Sequence, residues 1–279
     1  FALLVSAHTR LPMSLTLYPS LHDKVVFISG GSSGIGAELV KAFAAQGAQV
    51  VVSNESPEDT AACAAGLRSE GLQVSGIACD VSRTAEQQAL VHQTLQSHGR
   101  LDVVVCNAGI TGKPGPFATI DMADYDRVMA VDLRSMVELS RFALPHLSEG
   151  SGGSLILISS IAGLRGNGAI NAYALAKAGV AQLARNLAVE WGPRGVRVNA
   201  ISPGFIRTEL SAPLLDNEQF LARRMQMTPL RRAGEPEEVA GAALFLASSA
   251  GSFVTGHNLL AAKAQARGGN NNEILVDDY

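Results

Sequence analysis

Short apolar runs alternate with longer segments of mixed polarity along most of the chain, and that alternation sets the expected fold. The runs centred on Val25–Ser29, Gln49–Ser53, Gln73–Cys79, Val103–Asn107, Ser154–Ser159 and Arg197–Ile201 are short, mostly apolar and rich in Val and Ile. Such runs suit parallel strands buried on both faces better than strands with one wet side. Between them, apolar positions recur at helical spacing over Ala37–Gln46, Ala61–Glu70, Ala85–His98, Ala123–Leu147, Tyr173–Trp191 and Pro236–Ala247. In the first of these, Leu39, Val40 and Phe43 form the inward stripe and Gly47 ends the helix. Pro145 predicts a kink or a stop near the end of the fourth. Strand and helix in alternation predict an α/β domain, a parallel sheet covered by helices on both faces.

Composition narrows the partners. A chain of 279 residues, 47% hydrophobic and 5% aromatic, is long enough to bury one large core as a single domain. Net charge is −3, from 22 basic and 25 acidic residues without a basic tract, which gives no support to nucleic acid or an anionic membrane. No apolar stretch approaches the roughly 20 residues of a spanning helix. Cys63, Cys79 and Cys106 are odd in number and lack C-x-x-C spacing, as expected of small buried residues in a reducing, cytoplasmic compartment. The six His residues form no H-x-x-x-H or Cys/His cluster, so no metal site is expected. FALLVSAHTRLP precedes Met13, a candidate start, and FALLVSA lacks the basic flank and length of a signal peptide. Residues 1–20 are expected as a loose extension, 21–260 as the domain and 261–279 as an atypical tail.

Two segments carry candidate chemistry. KVVFISGGSSGIGAELVKAFAAQGAQVVVSNE reads as strand, glycine loop, helix, glycine stop and second strand. Gly30, Gly34 and Gly36 allow a tight turn and close approach of the backbone to a pyrophosphate, with the N–H groups and positive dipole end of a helix behind it. Three glycines alone also make a plain turn. Further on, Tyr173 and Lys177 stand at i and i+4 on one helix face, and Ser160 ends the apolar run SLILISSIAG. An ammonium about 4 Å from a phenol stabilises the phenolate by roughly 4 kcal/mol at an effective dielectric of about 20. That suits a general acid and base, with the Ser160 hydroxyl reaching a substrate oxygen from the opposite side. Alone, Y-x-x-x-K also describes a buried Tyr and a surface Lys on an ordinary helix.

With these motifs in this order, the sequence resembles the short-chain dehydrogenases/reductases in their compact single-domain branch. The match runs through G-x-x-x-G-x-G at Gly30, Gly34 and Gly36, CDV with Asp80, CNAG from Cys106 to Gly109, the Ser160, Tyr173 and Lys177 triplet, and SPGFIRT with Pro203, Gly204 and Thr208. It covers roughly Asp23 to Leu260. The resemblance implies a doubly wound Rossmann-type parallel sheet of about six to seven strands. It also implies hydride transfer between a nicotinamide cofactor and a small secondary alcohol or ketone. Tyr173 would be general acid and base, Ser160 would steady the developing oxyanion, and Lys177 would support the phenolate and reach the nicotinamide ribose. Gly30, Ser32, Ser33, Gly34, Ile35 and Gly36 would hold the diphosphate, and Asn54 and Glu55 would meet the adenosine ribose. Asp80 would bond the adenine amino group, with Val81 beside it. Asn107, Ala108 and Gly109 would line the ribose side or simply form a tight turn. Pro203, Gly204, Ile206 and Thr208 would hold the nicotinamide. Two other readings stand beside this one: a 3-oxoacyl-thioester reductase using NADPH, and a dinucleotide-binding regulator without catalysis. Relatives of this kind assemble as homotetramers through the helices matching Ala123–Leu147 and Tyr173–Trp191, where Ala176, Ala181 and Ala184 would let helices approach closely.

Several positions depart from the family pattern. Where an acidic residue selects NAD the chain has Asn54, and where an Arg selects NADP it has Glu55, a carboxylate that would repel a 2′-phosphate. NAD is therefore expected over NADP. Asp132 stands where the family usually has an Asn of the proton relay. Either it enters that relay beside Lys177, or it pairs locally with Arg134 or an N–H group. After Leu260 the chain gives AAKAQARGGNNNEILVDDY in place of a V-D-G-G turn, which puts the last sheet strand in doubt. Glu209 to Leu230, with Leu210, Leu214, Leu215, Phe220, Met225 and Met227, reads as a pliable apolar cover for the substrate, opposite Leu164 to Ile170. Arg223 and Arg224 in that cover either meet an anionic substrate or face solvent.

Overall fold

A computed structural model describes residues 16–150 and 152–261. Seven strands form one sheet: β1 (Val25–Ser29), β2 (Gln49–Ser53), β3 (Val74–Gly76), β4 (Val103–Cys106), β5 (Ser154–Ile158), β6 (Arg197–Pro203) and β7 (Asn258–Ala261). Their order is β3-β2-β1-β4-β5-β6-β7, and every pairing is parallel. The winding reverses between β1 and β4, so the connections leaving their carboxyl ends diverge to opposite faces and open a crevice there. The nine α-helices of the described residues are α1 (Gly34–Ala45), α2 (Pro57–Ser69), α3 (Thr84–His98), α4 (Met122–Met129), α5 (Ser135–Leu147), α6 (Asn171–Trp191), α7 (Ala212–Leu215), α8 (Glu218–Met227) and α9 (Pro236–Ala247). Among those residues no helix is long and apolar enough to cross a membrane.

The two-sided burial follows from the side-chain alternation of a strand. Val26 and Ile28 of β1 and Val50 and Val52 of β2 share one core with Leu39, Val40 and Phe43 of α1 and Val239 and Ala243 of α9. Val25, Phe27 and Val51 point the other way, into a core with Leu90 of α3, Met136 and Leu139 of α5, and Val180 and Ala184 of α6. Apolar runs without polar alternation are therefore what this sheet requires.

Some boundaries differ from the sequence pattern for identifiable reasons. Helix α2 starts earlier because the Ser56 hydroxyl accepts the Asp59 N–H at 3.1 Å and Pro57 occupies its first position. Strand β3 keeps only Val74–Gly76 at the sheet edge. The helix expected over Ala123–Leu147 is interrupted by a π-helical turn at Ala130–Arg134, closed by the Ser135 N–H donating to the Ala130 carbonyl. It then runs through Pro145 and stops at Leu147. The doubtful last strand does form, as β7, paired with β6 from Ala200↔Asn258 to Pro203↔Ala261. Residues 1–15 of the expected extension and 262–279 of the expected tail lie outside the described residues. Residues 16–20 are tied down: the Tyr18 N–H donates to Gln46 Oε1 at 2.7 Å, Gln46 Nε2 donates to the Thr16 carbonyl at 3.3 Å, and the Ser249 N–H donates to Ser20 Oγ at 3.0 Å.

The turn from β1 into α1 closes only on glycine. A Cβ at Gly36 would stand 1.9 Å from the Gly30 carbonyl oxygen and 2.7 Å from Asn107 Nδ2. Gly66, inside α2, has nothing within 4 Å of the same position. We predict that Gly36→Ala destabilises the protein by at least about 1–3 kcal/mol through overpacking. Gly66→Ala is expected to stabilise it by about 0.5–1 kcal/mol through helix propensity. Urea unfolding of both variants reads the contrast, and equal effects would contradict the packing described.

Candidate active site

Carboxyl ends of the strands from β3 across to β6 supply the site. After β1 the chain turns at Gly30, with φ +61°, and enters α1 at Gly34, with φ +51°, values that favour glycine. No side chain caps α1 at Ser33, and its first turn holds no acidic residue. Its leading N–H groups and dipole are thus left to an anion. Asn107, at the end of β4, braces this loop: its Nδ2 donates to the Ser29 carbonyl at 3.2 Å and the Gly30 carbonyl at 2.9 Å. Its own N–H and that of Ala108 donate to Ser29 Oγ at 3.0 and 3.3 Å. Ala108 in turn lies so close to Gly30 that a Cβ there would meet its Cα at 2.7 Å. Thr208 faces the same loop, since a Cβ at Gly34 would touch its Cγ2 at 3.3 Å.

The flank at β2 is neutral where it meets the glycine loop. Asn54 Nδ2 donates to Ser32 Oγ at 2.5 Å, and Asn54 Oδ1 accepts the Ser56 N–H at 3.0 Å, while Glu55 is exposed. Beyond β3, the Asp80 carboxylate accepts the N–H and hydroxyl of Ser82 at 2.9 and 2.7 Å, and Val81 is buried. On the other side, Pro203 ends β6, the Gly204 N–H donates to the Ala261 carbonyl at 2.7 Å, and Ile206 bridges in parallel to Gly234. Phe205 meets Phe220 of α8 edge to face, with ring centroids 5.9 Å apart. Neither α7 nor α8 buries a residue. Arg223 is exposed, and Arg224 is half-buried with its Nε shielded from solvent.

The Ser160, Tyr173 and Lys177 triplet sits where β5 passes into α6. Ser160 follows β5, and its Oγ accepts the Ala162 N–H at 3.1 Å, opening a short 3₁₀ turn over Ile161–Leu164. That turn lies against α6, because a Cβ at Gly163 would stand 2.5 Å from the Ala178 nitrogen. Tyr173 is half-buried in the first turn of α6, and Lys177, one turn on, is 2% exposed. Lys177 Nζ lies 5.5 Å from the centroid of the Tyr173 ring and donates to the Ile158 carbonyl at 3.1 Å. It also lies 3.2 Å from Asp132 Oδ2, while Asp132 Oδ1 accepts the Ile110 N–H at 2.8 Å, so the carboxylate meets both Lys177 and a local N–H group. Arg134 pairs instead with Glu138, at 2.9 Å. Burial alone would lower the Lys177 ammonium, but Asp132 and Tyr173 outweigh it and hold its pKa above the ordinary lysine value. Burial pushes the neighbouring Cys106 thiol up to about 12, against Lys177, so it stays protonated and is no nucleophile.

The structure thus gathers the glycine loop, Asn107, Ala108 and Thr208 into one cluster, and Tyr173, Lys177 and Asp132 into another. Gly109 joins them, for a Cβ there would meet Asp132 Oδ2 at 3.0 Å and Lys177 Nζ at 3.2 Å. The Ile158 carbonyl and the Phe205–Phe220 contact were not anticipated. No side-chain motif marks a carbonyl, and aromatic residues distant in sequence give no pairing signal. Among the described residues no three His, Cys, Asp or Glu side chains form a metal-holding group.

Comparison with known proteins agrees with this geometry. The family model described as enoyl-(acyl carrier protein) reductase matches residues 30–263. A cis-4-hydroxycyclohexanecarboxylate dehydrogenase of Sinomonas cyclohexanicum is 38% identical over 84% of this chain and 93% of the relative. A tropinone reductase homolog of Arabidopsis thaliana is 35% identical over 85% of this chain and 90% of its own. The crystal structure of levodione reductase superposes with a TM-score of 0.82 at 34% identity, covering 86% of this chain and 96% of that one. The chain belongs to the short-chain dehydrogenase/reductase family, oxidoreductases that transfer hydride between a nicotinamide cofactor, NAD or NADP, and alcohol or ketone substrates.

Proposed function

We propose that Tyr173 is the proton-transfer group of this oxidoreductase, working on a secondary alcohol or ketone of modest size. The observation that carries the reading is the Lys177 ammonium, buried, 5.5 Å from the Tyr173 ring centroid and tied to the end of β5 through the Ile158 carbonyl. In oxidation the Tyr173 phenolate takes the hydroxyl proton of the substrate, and in reduction the phenol returns it to the carbonyl oxygen. Lys177 favours the phenolate by its charge. Ser160 Oγ already accepts one backbone bond, which leaves its own hydrogen to be donated to the substrate oxygen as negative charge develops there.

The residues present fit a dinucleotide. The uncapped start of α1, the loop that admits no Cβ at Gly36, and Ser32, Ser33 and Ile35 make a cradle for the diphosphate. Asn54 and Glu55 would flank the adenosine ribose, Asp80 and Val81 the adenine, and Gly109 with Lys177 the second ribose. Asn107 and Ala108 act chiefly by fixing the loop. Pro203, Gly204, Ile206 and Thr208 would hold the nicotinamide, which when bound accepts or supplies the hydride. Glu55 and the neutral Asn54–Ser32 pair offer a 2′-phosphate no cation, which favours NAD. The three free cysteines favour a reducing, cytoplasmic setting.

A homotetramer built on α5 and α6 remains our reading of the assembly. Val137 and Leu175 are 42% and 51% exposed on those helices, and Met129, Ala130, Leu133 and Val137 line a hollow flanked by Asp126 and Arg134. Ala176, Ala181 and Ala184 take no part in it, because all three are buried in the subunit's own interior.

Tyr173→Phe should fold and bind cofactor but lose at least about 100-fold in kcat. Near-normal turnover would remove the assignment. On a panel of ketones and alcohols that includes tropinone, levodione and cis-4-hydroxycyclohexanecarboxylate, kcat/KM should be higher with NAD(H) than with NADP(H). The opposite ratio overturns the cofactor preference. Light scattering at micromolar concentration should give the mass of four chains, and a monomer would exclude the proposed interface.

A further inference from the structure

One titratable group in the site has no part in the mechanism above. Asp132 is fully buried on the π-helical turn between α4 and α5, where the wider turn sets its side chain inward. Its Oδ1 accepts the Ile110 N–H at 2.8 Å. Its Oδ2 makes no directed hydrogen bond and lies 3.2 Å from Lys177 Nζ. We propose that Asp132 is a positioning residue for the reaction: its carboxylate is the counter-ion that keeps the buried Lys177 charged and aimed at Tyr173. This rests on the roles given to Tyr173 and Lys177.

The surroundings leave few other sources of compensation. Tyr173 from α6 and Cys106 from β4 are the remaining ionisable groups that act on Lys177, and Cys106 is held as a neutral thiol. The Ile158 carbonyl, at 3.1 Å, supplies a dipole but no charge. Gly109 covers the pair, and a Cβ there would touch both Asp132 Oδ2 and Lys177 Nζ. An ammonium buried this way without a counter-ion deprotonates more easily, and a neutral Lys177 would no longer favour the phenolate. Burial raises the Asp132 carboxyl above the ordinary carboxylate range, against Lys177 and the Ile110 N–H. Its ionisation is therefore the step on which the arrangement turns.

The test separates the ion pair from the reaction. Asp132→Asn keeps the shape and the acceptor for Ile110 but removes the charge. In cofactor-free protein carrying 13Cε-lysine, with the Lys177 signal assigned by its loss in Lys177→Met, the Lys177 midpoint should fall by at least about one pH unit, a tenfold change in its proton equilibrium. Relative to wild type, kcat/KM for alcohol oxidation should fall about tenfold as pH rises through the lowered Lys177 midpoint, where the variant has lost its ammonium and the wild type has not, and should match wild type below it. An unchanged or raised Lys177 midpoint overturns the counter-ion role, whatever the activity. A lowered midpoint with an unmoved pH profile overturns the role in the reaction. If Asp132→Asn does not fold, 13Cγ-aspartate spectra of the wild-type protein decide: ionised Asp132 at pH 7 is expected, and a protonated one sinks the proposal. Wild-type protein inert on the whole substrate panel would overturn the redox reading and the positioning role together, while the titration still reads the ion pair by itself.

Discussion

The end of β5 and the first turns of α6 are fastened to each other through Lys177. Its ammonium donates to the Ile158 carbonyl at 3.1 Å, and its own carbonyl accepts the Ser159 hydroxyl at 2.7 Å. The 3₁₀ turn after Ser160 then lies on the same stretch of helix, with no room for a side chain at Gly163. This double tie fixes the spacing between a residue leaving a strand and a residue entering a helix. Neither Ser160 nor Tyr173 needs a long-range contact of its own to be placed. A site mounted on a strand end and a helix, rather than on a free loop, keeps its geometry without help from a ligand.

A second tie fixes the glycine loop. Asn107 spends its amide on the Ser29 and Gly30 carbonyls, and Ala108 closes over Gly30. The sequence motif around Asn107 therefore has a structural cause before any contact with a ligand: it holds β1 to β4 at the point where the sheet's winding reverses. The reversal opens the crevice, and the brace keeps its floor in one shape. On its far side the Asn54–Ser32 contact does the same for the end of β2. Elements that would bind a dinucleotide are thus rigid for reasons internal to the fold.

Much of this was legible in the residues. The core strands were visible because burial on both faces demands unbroken runs of Val, Ile and Leu, and the loop because Gly36 admits no substitute. What escaped had weak local signals. Strand β7 is four residues long and only partly buried, so no pattern of burial could reveal it. Helices α7 and α8 bury no residue fully, and the inward face of α8, with Phe220, Leu221 and Met225, is only half-buried. The π turn left the apolar spacing of its neighbours almost intact, which is why a single helix was expected over Ala123–Leu147. The three alanines of α6 suggest a seam for a neighbouring subunit on sequence alone, because small residues do not say which side they face. In the structure all three are buried inside the subunit, and Ala184 packs in the core that α6 shares with the sheet.

Two buried carboxylates show how structural and functional charge differ in this molecule. Asp102, at the amino-terminal end of the central strand β4, is 6% exposed and engaged on both oxygens: Oδ1 meets Lys24 at 3.2 Å and Arg100 at 2.5 Å, and Oδ2 accepts the Val25 N–H at 3.0 Å. Its two charged partners reach solvent, and its work is to tie β1 to β4. Asp132 is buried more deeply, keeps one oxygen without a directed hydrogen bond, and faces an ammonium that is itself enclosed. Buried ion pairs contribute little net stability, since desolvation offsets much of the attraction. A pair built for the fold alone would gain by being replaced with apolar residues or by satisfying every acceptor, as Asp102 does. On the role proposed for Asp132, the enclosed Asp132–Lys177 pair one helical turn from Tyr173 is better explained by a cost carried for reactivity than by one carried for folding.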